Sequence, residues 1–386
     1  CPFEHSHEPC EACDFSTRPL SDACEAGIIS YCKSSFESDE AACLEFLDLL
    51  VQNGQCEFDA LSSRDLQDLA TGVLEGRDGK GVIYVFAAGN AFVDSNFQGY
   101  TNSRLVITVA AVGKDGKHAP YSTTGASTFV SGPGGDSSSY SNHVTAGVNG
   151  GCTNAGRGTA FSSPVVSGVV ALMLQANPEL TWRDVQGILA TTSRRVANDR
   201  DDDTAQINGA GLWHSNLYGF GIVDAWAAVK AAETWIKYGR EKQIVLESGF
   251  LDLPLIDKVS SKILIPEQDD EGFVAGAVEV LLDLGHTSSD QLEIVLTSPS
   301  GTKSVLTPGG RPDDAALGGD ERWKLLTVRN WNESPVGEWT LELLDTKQGD
   351  APTGCVDRPW ELPDDGQIIT CDRIAAAGGC ADGVRN

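Results

Sequence analysis

Two short, unbroken apolar runs constrain the fold of this chain most. Val82-Ile83-Tyr84-Val85-Phe86-Ala87-Ala88 ends at Gly89-Asn90, and Leu105-Val106-Ile107-Thr108-Val109-Ala110-Ala111-Val112 follows it. Runs this short, β-branched and without polar alternation predict strands buried on both faces, as in a parallel sheet between helix layers. Helical spacing around them agrees. A helix is expected from Arg64 to Leu74, and a small-residue, apolar helix from Gly158-Thr159 to Asn177, read as buried all round and stopped by Pro178. Thr181 with Asp184 predicts an N-cap for a further helix carrying Trp182, Val185, Ile188 and Leu189, and a last helix spans about Val223 to Trp235. Residues 61–238 therefore read as α/β.

The pattern changes after that. Between 244 and 347, short segments such as Leu292-Glu293-Ile294-Val295-Leu296 and Trp339-Thr340-Leu341-Glu342-Leu343 alternate apolar and polar residues between turn clusters such as Ser298-Pro299-Ser300-Gly301. This predicts an antiparallel β-sandwich. Residues 348–386 form a Gly-, Pro- and Asp-rich tail, and residues 1–60 a mostly helical, cysteine-rich region. Met173 is the one methionine and Cys1 the first residue, so the chain is expected to be processed, excised or incomplete.

Lys plus Arg number 28 against 55 for Asp plus Glu, a formal charge of −27. A phosphate backbone would be repelled at long range, which argues against nucleic-acid binding. No apolar run comes near the 18 to 20 residues of a membrane helix, so no membrane span is expected. Eleven cysteines crowd the two ends, seven of them from Cys1 to Cys56, with Cys152 between and Cys355, Cys371 and Cys380 in the tail. Disulfides in an oxidising compartment are the expected use. Zinc at His5, His7, Cys10 and Cys13, spaced H-x-H-x2-C-x2-C, is the alternative.

Three features converge on one chemistry. Ala87-Ala88-Gly89-Asn90 places a side-chain amide at the end of a buried strand, where it can donate to a developing oxyanion. Gly158-Thr159-Ala160-Phe161-Ser162-Ser163-Pro164 opens the small-residue helix, whose start directs N–H groups and partial positive charge outward. Around them stand Cys152, Ala176-Asn177-Pro178-Glu179-Leu180-Thr181-Trp182 and Tyr218-Gly219-Phe220-Gly221-Ile222-Val223-Asp224. Further on come His286, Asp290-Gln291-Leu292-Glu293-Ile294, Trp331-Asn332-Glu333 and Gly337-Glu338-Trp339.

In this order, over about residues 63 to 345, the motifs resemble the subtilisin-like serine proteases of the kexin and furin branch with their P domain. The resemblance implies a subtilisin-like α/β catalytic domain, represented by its C-terminal part, then a β-sandwich P domain. It implies Asn90 in the oxyanion hole, Ala88, Gly89 and Gln98 at the substrate pocket, and Ala160 where the family has its nucleophilic serine. Ser162 is expected to point away and Ser163 to face the interior. It further implies peptide or protein substrates, a place in the secretory pathway or outside the cell, and calcium at Asp94. The family's Cys152 partner follows the catalytic histidine, so Cys152 is expected to lack it here.

The departures matter equally. Only 89 residues precede Asn90, and none resembles the family's aspartate or histidine motif. Gln98 replaces a pocket aspartate, and Thr123 stands in place of a glutamate. The leading expectation is a serine endopeptidase represented by an incomplete chain without its serine. The alternatives are a pseudoprotease that binds peptides in the same cleft and a cysteine-rich adhesion module on a protease scaffold.

Overall fold

The computed structural model describes residues 61–136, 143–147, 150–196, 202–248, 258–267, 273–282, 292–308, 323–345, 360–361 and 368–369. The expected N-terminal helices, the His5/His7/Cys10/Cys13 cluster, His286 and the tail cysteines lie outside them.

Helix α1 (Ser63–Gly79) starts where Ser62 Oγ accepts the Asp65 N–H at 3.1 Å, and it unwinds at Gly76, Arg77 and Asp78. Strands β1 (Tyr84–Ala87), β2 (Val106–Val112) and β3 (Val130–Pro133) form a parallel sheet in that order, with Tyr84 opposite Val106 and Val109 opposite Val130. Every residue of β2 is buried, as its unbroken apolar run predicts. Strand β1 is half-buried at every position, which corrects the expectation of burial on both faces. Its run is just as apolar, but β1 is an edge strand among the described residues, so one side lacks a neighbour.

A hairpin of β4 (His143–Ala146) and β5 (Cys152–Gly156) leads into helix α2 (Thr159–Ala176), which crosses all three parallel strands. Val166, Val169, Val170 and Met173 enter the core. The opposite side corrects the expectation of a helix buried all round, because Ser167, Gly168, Ala171 and Leu172 are exposed, Leu172 by 50%. A Cβ built on Gly168 would meet nothing within 4 Å. By length and composition alone α2 is apolar enough to cross a membrane, which revises the sequence-based expectation, yet its valine face packs on the sheet. Cys152 is exposed and has no disulfide partner among the described residues.

Helix α3 (Trp182–Thr192) carries a complete capping box: Thr181 Oγ1 accepts the Asp184 N–H, and Asp184 Oδ2 accepts the Thr181 N–H at 2.8 Å. The short strands β6 (Gln206–Ile207) and β7 (Trp213–His214) precede helix α4 (Ala225–Glu233), capped by Asp224 and packed on α2 and α3.

The second domain opens with β8 (Lys258–Ile265), β9 (Val278–Leu282), β10 (Leu292–Thr297), β11 (Lys303–Pro308), β12 (Trp323–Thr327) and β13 (Gly337–Asp345). They make an antiparallel sheet in the order β11-β10-β13-β8 and a β12-β9 pair, with Leu292, Ile294, Leu306, Leu325 and Trp339 between. A two-residue pair of β14 (Trp360–Glu361) and β15 (Ile368–Ile369) follows. The two domains share core. Val328 and Trp331 belong to the main apolar cluster of the α/β part, with the Trp331 ring 5.4 Å edge-on to Phe129, and Ala126 belongs to the sandwich core.

Buried polar side chains complete that junction. Asn208 Nδ2 donates to Arg329 O and Trp331 O, both at 2.9 Å, and Arg329 donates to Thr204 O and Asn216 Oδ1. Glu333 is 1% exposed and accepts from Gly209 N at 2.6 Å, from Asn330 Nδ2 and from the Thr302 hydroxyl. Asp202 is half-buried, caps Thr204 and faces Arg329.

Candidate active site

The β1 strand ends beside the start of α2, and a single threonine joins them. The Thr159 backbone N–H and hydroxyl both donate to Asn90 Oδ1 at 2.9 Å, while Thr159 Oγ1 accepts the Gly89 N–H at 3.1 Å. A backbone N–H can only donate, so the Asn90 atom facing Thr159 must be its oxygen, and Nδ2 is turned away. Thr159 is fully buried and Asn90 half-buried. The amide is thus held before any ligand arrives. Sequence reading had identified Asn90 but missed this clamp.

Gly158 caps α2 at φ +126°, a backbone region open to glycine and few others. Its N–H is received by Gly134 O and by the Tyr121 hydroxyl oxygen, both at 2.9 Å, and Tyr121 in turn donates to Gly135 O. Ala160, the second helical residue, is exposed, and its N–H has no carbonyl four residues back inside the helix. Ser162 is fully buried with its hydroxyl on Gly132 O at 3.1 Å. It points away from Ala160 as expected, but Ser162, and not Ser163, is the serine that faces the interior; Ser163 is only half-buried.

Gln98 lies close to Ala88-Gly89, its Oε1 3.4 Å from where a Gly89 Cβ would stand. Ala88 is fully buried with its N–H on Val109 O, and Gly89, at φ +110°, accepts the Thr123 N–H at 3.0 Å. Gln98 is half-buried on the loop that follows the 3-10 turn Ser95–Phe97. That loop is fastened to the second domain. Asn96 Nδ2 donates to Leu306 O at 2.8 Å and Leu326 O at 3.1 Å, Asn96 Oδ1 accepts the Leu326 N–H at 2.9 Å, and Asn102 Nδ2 donates to Lys324 O. Asn96→Ala should therefore cost about 2 to 4 kcal/mol, since it leaves buried backbone groups unpaired. Urea denaturation checks this, and a change under 0.5 kcal/mol, the usual range of a surface substitution, would refute the docking role.

Asp94 caps the same turn, with Oδ1 accepting the Asn96 N–H at 2.8 Å, and is 5% exposed. Burial pushes its carboxyl up to about 7, with the Asn96 N–H acting in the opposite sense. Calcium takes six to eight oxygens, commonly several of them carboxylates. No group of three or more His, Cys, Asp or Glu side chains meets anywhere among the described residues.

No described histidine side chain is shown beside Ala160. His214 is fully buried with Nε2 on Thr128 O at 2.9 Å, and burial, reinforced by Arg329, holds its pKa well below the usual value. His118 packs edge-on to Phe92 and Tyr218.

Residues 54–221 match the subtilase family, and residues 275–362 match the proprotein convertase P-domain. The chain thus resembles a subtilase segment followed by a convertase P domain. The second match begins later than the boundary at 244 read from sequence. Rat neuroendocrine convertase 2 is 35% identical over 312 residues, 77% of this chain and 48% of its own length. Human proprotein convertase subtilisin/kexin type 6 is 36% identical over 71% of this chain and 29% of its own, and Furin-1 of Xenopus laevis 34% over 70% and 35%. The chain thus spans about half the length, or less, of these relatives. Among solved structures, the serine protease of Aeromonas sobria superposes with a TM-score of 0.63 over 76% of this chain and 63% of its own, at 22% identity. That likeness shows the fold.

Proposed function

We propose that this chain is the half of a kexin-like serine endopeptidase cleft that carries the nucleophile position, here Ala160, together with its P domain, and that it engages peptide or protein chains in the secretory pathway or outside the cell. The observation that carries this reading is the clamp of Thr159 on Asn90, which leaves Asn90 Nδ2 and the Ala160 N–H to serve one oxyanion. With serine at 160, attack on a peptide carbonyl would place negative charge on the oxygen held by those donors. The proton would pass to a histidine and then to the leaving amine.

In the chain as it stands, Ala160 has no oxygen to attack and no described group acts as base, so the cleft binds and does not cut. The exposed face of α2 at Ser167, Gly168, Ala171 and Leu172, together with the open edge of β1, suits a covering layer that would bring the missing histidine and aspartate. The pseudoprotease reading is favoured by one feature: the oxyanion donors are preorganised although position 160 is alanine. Both readings require peptide binding. Fluorescein-labelled tetrapeptides ending in a free carboxylate should bind the chain, and Asn90→Ala should weaken them about 10-fold, in the range of a charge-assisted hydrogen bond. Unchanged affinity in that variant would remove Asn90 from the site.

A further inference from the structure

The wall beside Asn90 departs from the family at Gln98 and Thr123, and these two residues bring their own chemistry. Gly89 has no side chain, and a Cβ there would lie 2.9 Å from Thr123 Oγ1 and 3.4 Å from Gln98 Oε1. Both polar atoms therefore face the space over Gly89, next to the clamped amide. Thr123 is fully buried, and its hydroxyl has no hydrogen-bond partner among the described residues. A buried polar atom left unpaired in a native structure calls for a partner that arrives later.

Gln98 is held in place from behind. Its carbonyl accepts the Asn102 N–H at 2.8 Å and the Thr101 hydroxyl at 3.1 Å, on the loop that Asn96 and Asn102 fasten to β11 and β12. The three atoms nearest to that Cβ position are Thr123 Oγ1, Gln98 Oε1 and Thr123 Cβ, and none is a carboxylate oxygen. The Asp94 carboxylate of the same loop accepts the Asn96 N–H through Oδ1 and is buried. A guanidinium or ammonium loses its hydration on entering such a pocket, and these three nearest atoms offer it no opposite charge. A side-chain amide loses far less: its NH2 can donate to Gln98 Oε1, and its carbonyl can accept from the Thr123 hydroxyl.

We propose that the pocket formed by Gly89, Gln98 and Thr123 selects an uncharged, hydrogen-bonding side chain, that of glutamine or asparagine, at the end of the bound peptide, and discriminates against arginine and lysine. The proposal rests on the reading of this cleft as a peptide site. The net charge of −27 attracts cationic peptides to the whole molecule, so the comparison belongs at 0.15 M salt or above, where long-range attraction is screened.

The test uses the whole chain and labelled tetrapeptides Ala-Ala-Ala-Xaa with a free C-terminal carboxylate, Xaa being Gln, Asn, Leu, Lys or Arg, read by fluorescence anisotropy. The Gln and Asn peptides should bind at least 10-fold tighter than the Arg and Lys peptides. Gln98→Asp should reverse that order, and Thr123→Val should abolish the preference for Gln over Leu, with thermal unfolding confirming that both variants fold. Equal or tighter binding of the Arg peptide to the native chain would overturn the proposal and leave the peptide cleft standing. A Gln preference untouched by both substitutions would also overturn it. Binding of no peptide by a chain with an intact unfolding transition would overturn the cleft reading and this inference together.

Discussion

Fluorogenic peptides incubated with the purified chain are expected to remain intact, and Ala160→Ser alone should not restore cleavage. In a serine protease triad the nucleophile and its base act as a unit, and loss of either costs about 10^6 in kcat. Ala160 supplies no oxygen, and His214 and His118 are committed elsewhere, His214 to Thr128 O and His118 to a packing contact with Phe92 and Tyr218. A new serine at 160 would sit at the helix start beside a ready oxyanion site, yet without a histidine it would stay protonated and weakly nucleophilic at neutral pH. The check is labelling of the variant by a fluorophosphonate probe alongside peptide hydrolysis. Rapid stoichiometric labelling would show that a base exists within this chain and would overturn the account of a half site.

The second large effect concerns Asp94. Its carboxyl is raised from the ordinary 3.8 to about 7 by burial. Between those values the folded protein holds a proton that the unfolded chain has lost, so stability falls as pH rises from about 4 to 7 and stays low above. The difference amounts to roughly 4 kcal/mol. Asp94→Asn keeps an oxygen for the Asn96 N–H and removes the charge. The variant should match the native protein near pH 4 and exceed it in stability by that order at pH 8. The comparison between variants is the useful one, because His214, with its lowered pKa, destabilises the fold in the other direction, as pH falls below about 6.5. Calcium is read in the same experiment: a calcium-dependent rise in the melting temperature of the native protein, lost in Asp94→Asn, would make Asp94 a metal ligand.

Much of this was legible in the sequence where the signal was local. The unbroken run Leu105–Val112 announced a strand buried on both faces, Thr181 with Asp184 announced an N-cap, and Gly89-Asn90 and Gly158-Thr159-Ala160 announced a strand end and a helix start. What the sequence hid was pairing at a distance. Nothing near Thr159 says that its hydroxyl locks an asparagine 69 residues earlier, and Asn96 reads as a turn residue although its partners are 210 and 230 residues away. Burial was misjudged for the same reason. The β1 run and α2 are apolar enough for complete enclosure, but enclosure depends on neighbours, and Ser167, Gly168 and Ala171 have an open side.

The central claim, that Asn90 and the start of α2 hold one oxyanion, can be read at the two atoms concerned. In 15N-resolved NMR spectra of the whole chain titrated with Ala-Ala-Ala-Gln bearing a free carboxylate, the Asn90 side-chain amide and the Ala160 backbone amide should shift downfield together, along one binding curve. Thr159→Val, which removes the hydroxyl that fixes Asn90, should uncouple them and weaken binding. Saturable peptide binding that leaves both signals in place, while other amides move, would contradict the account.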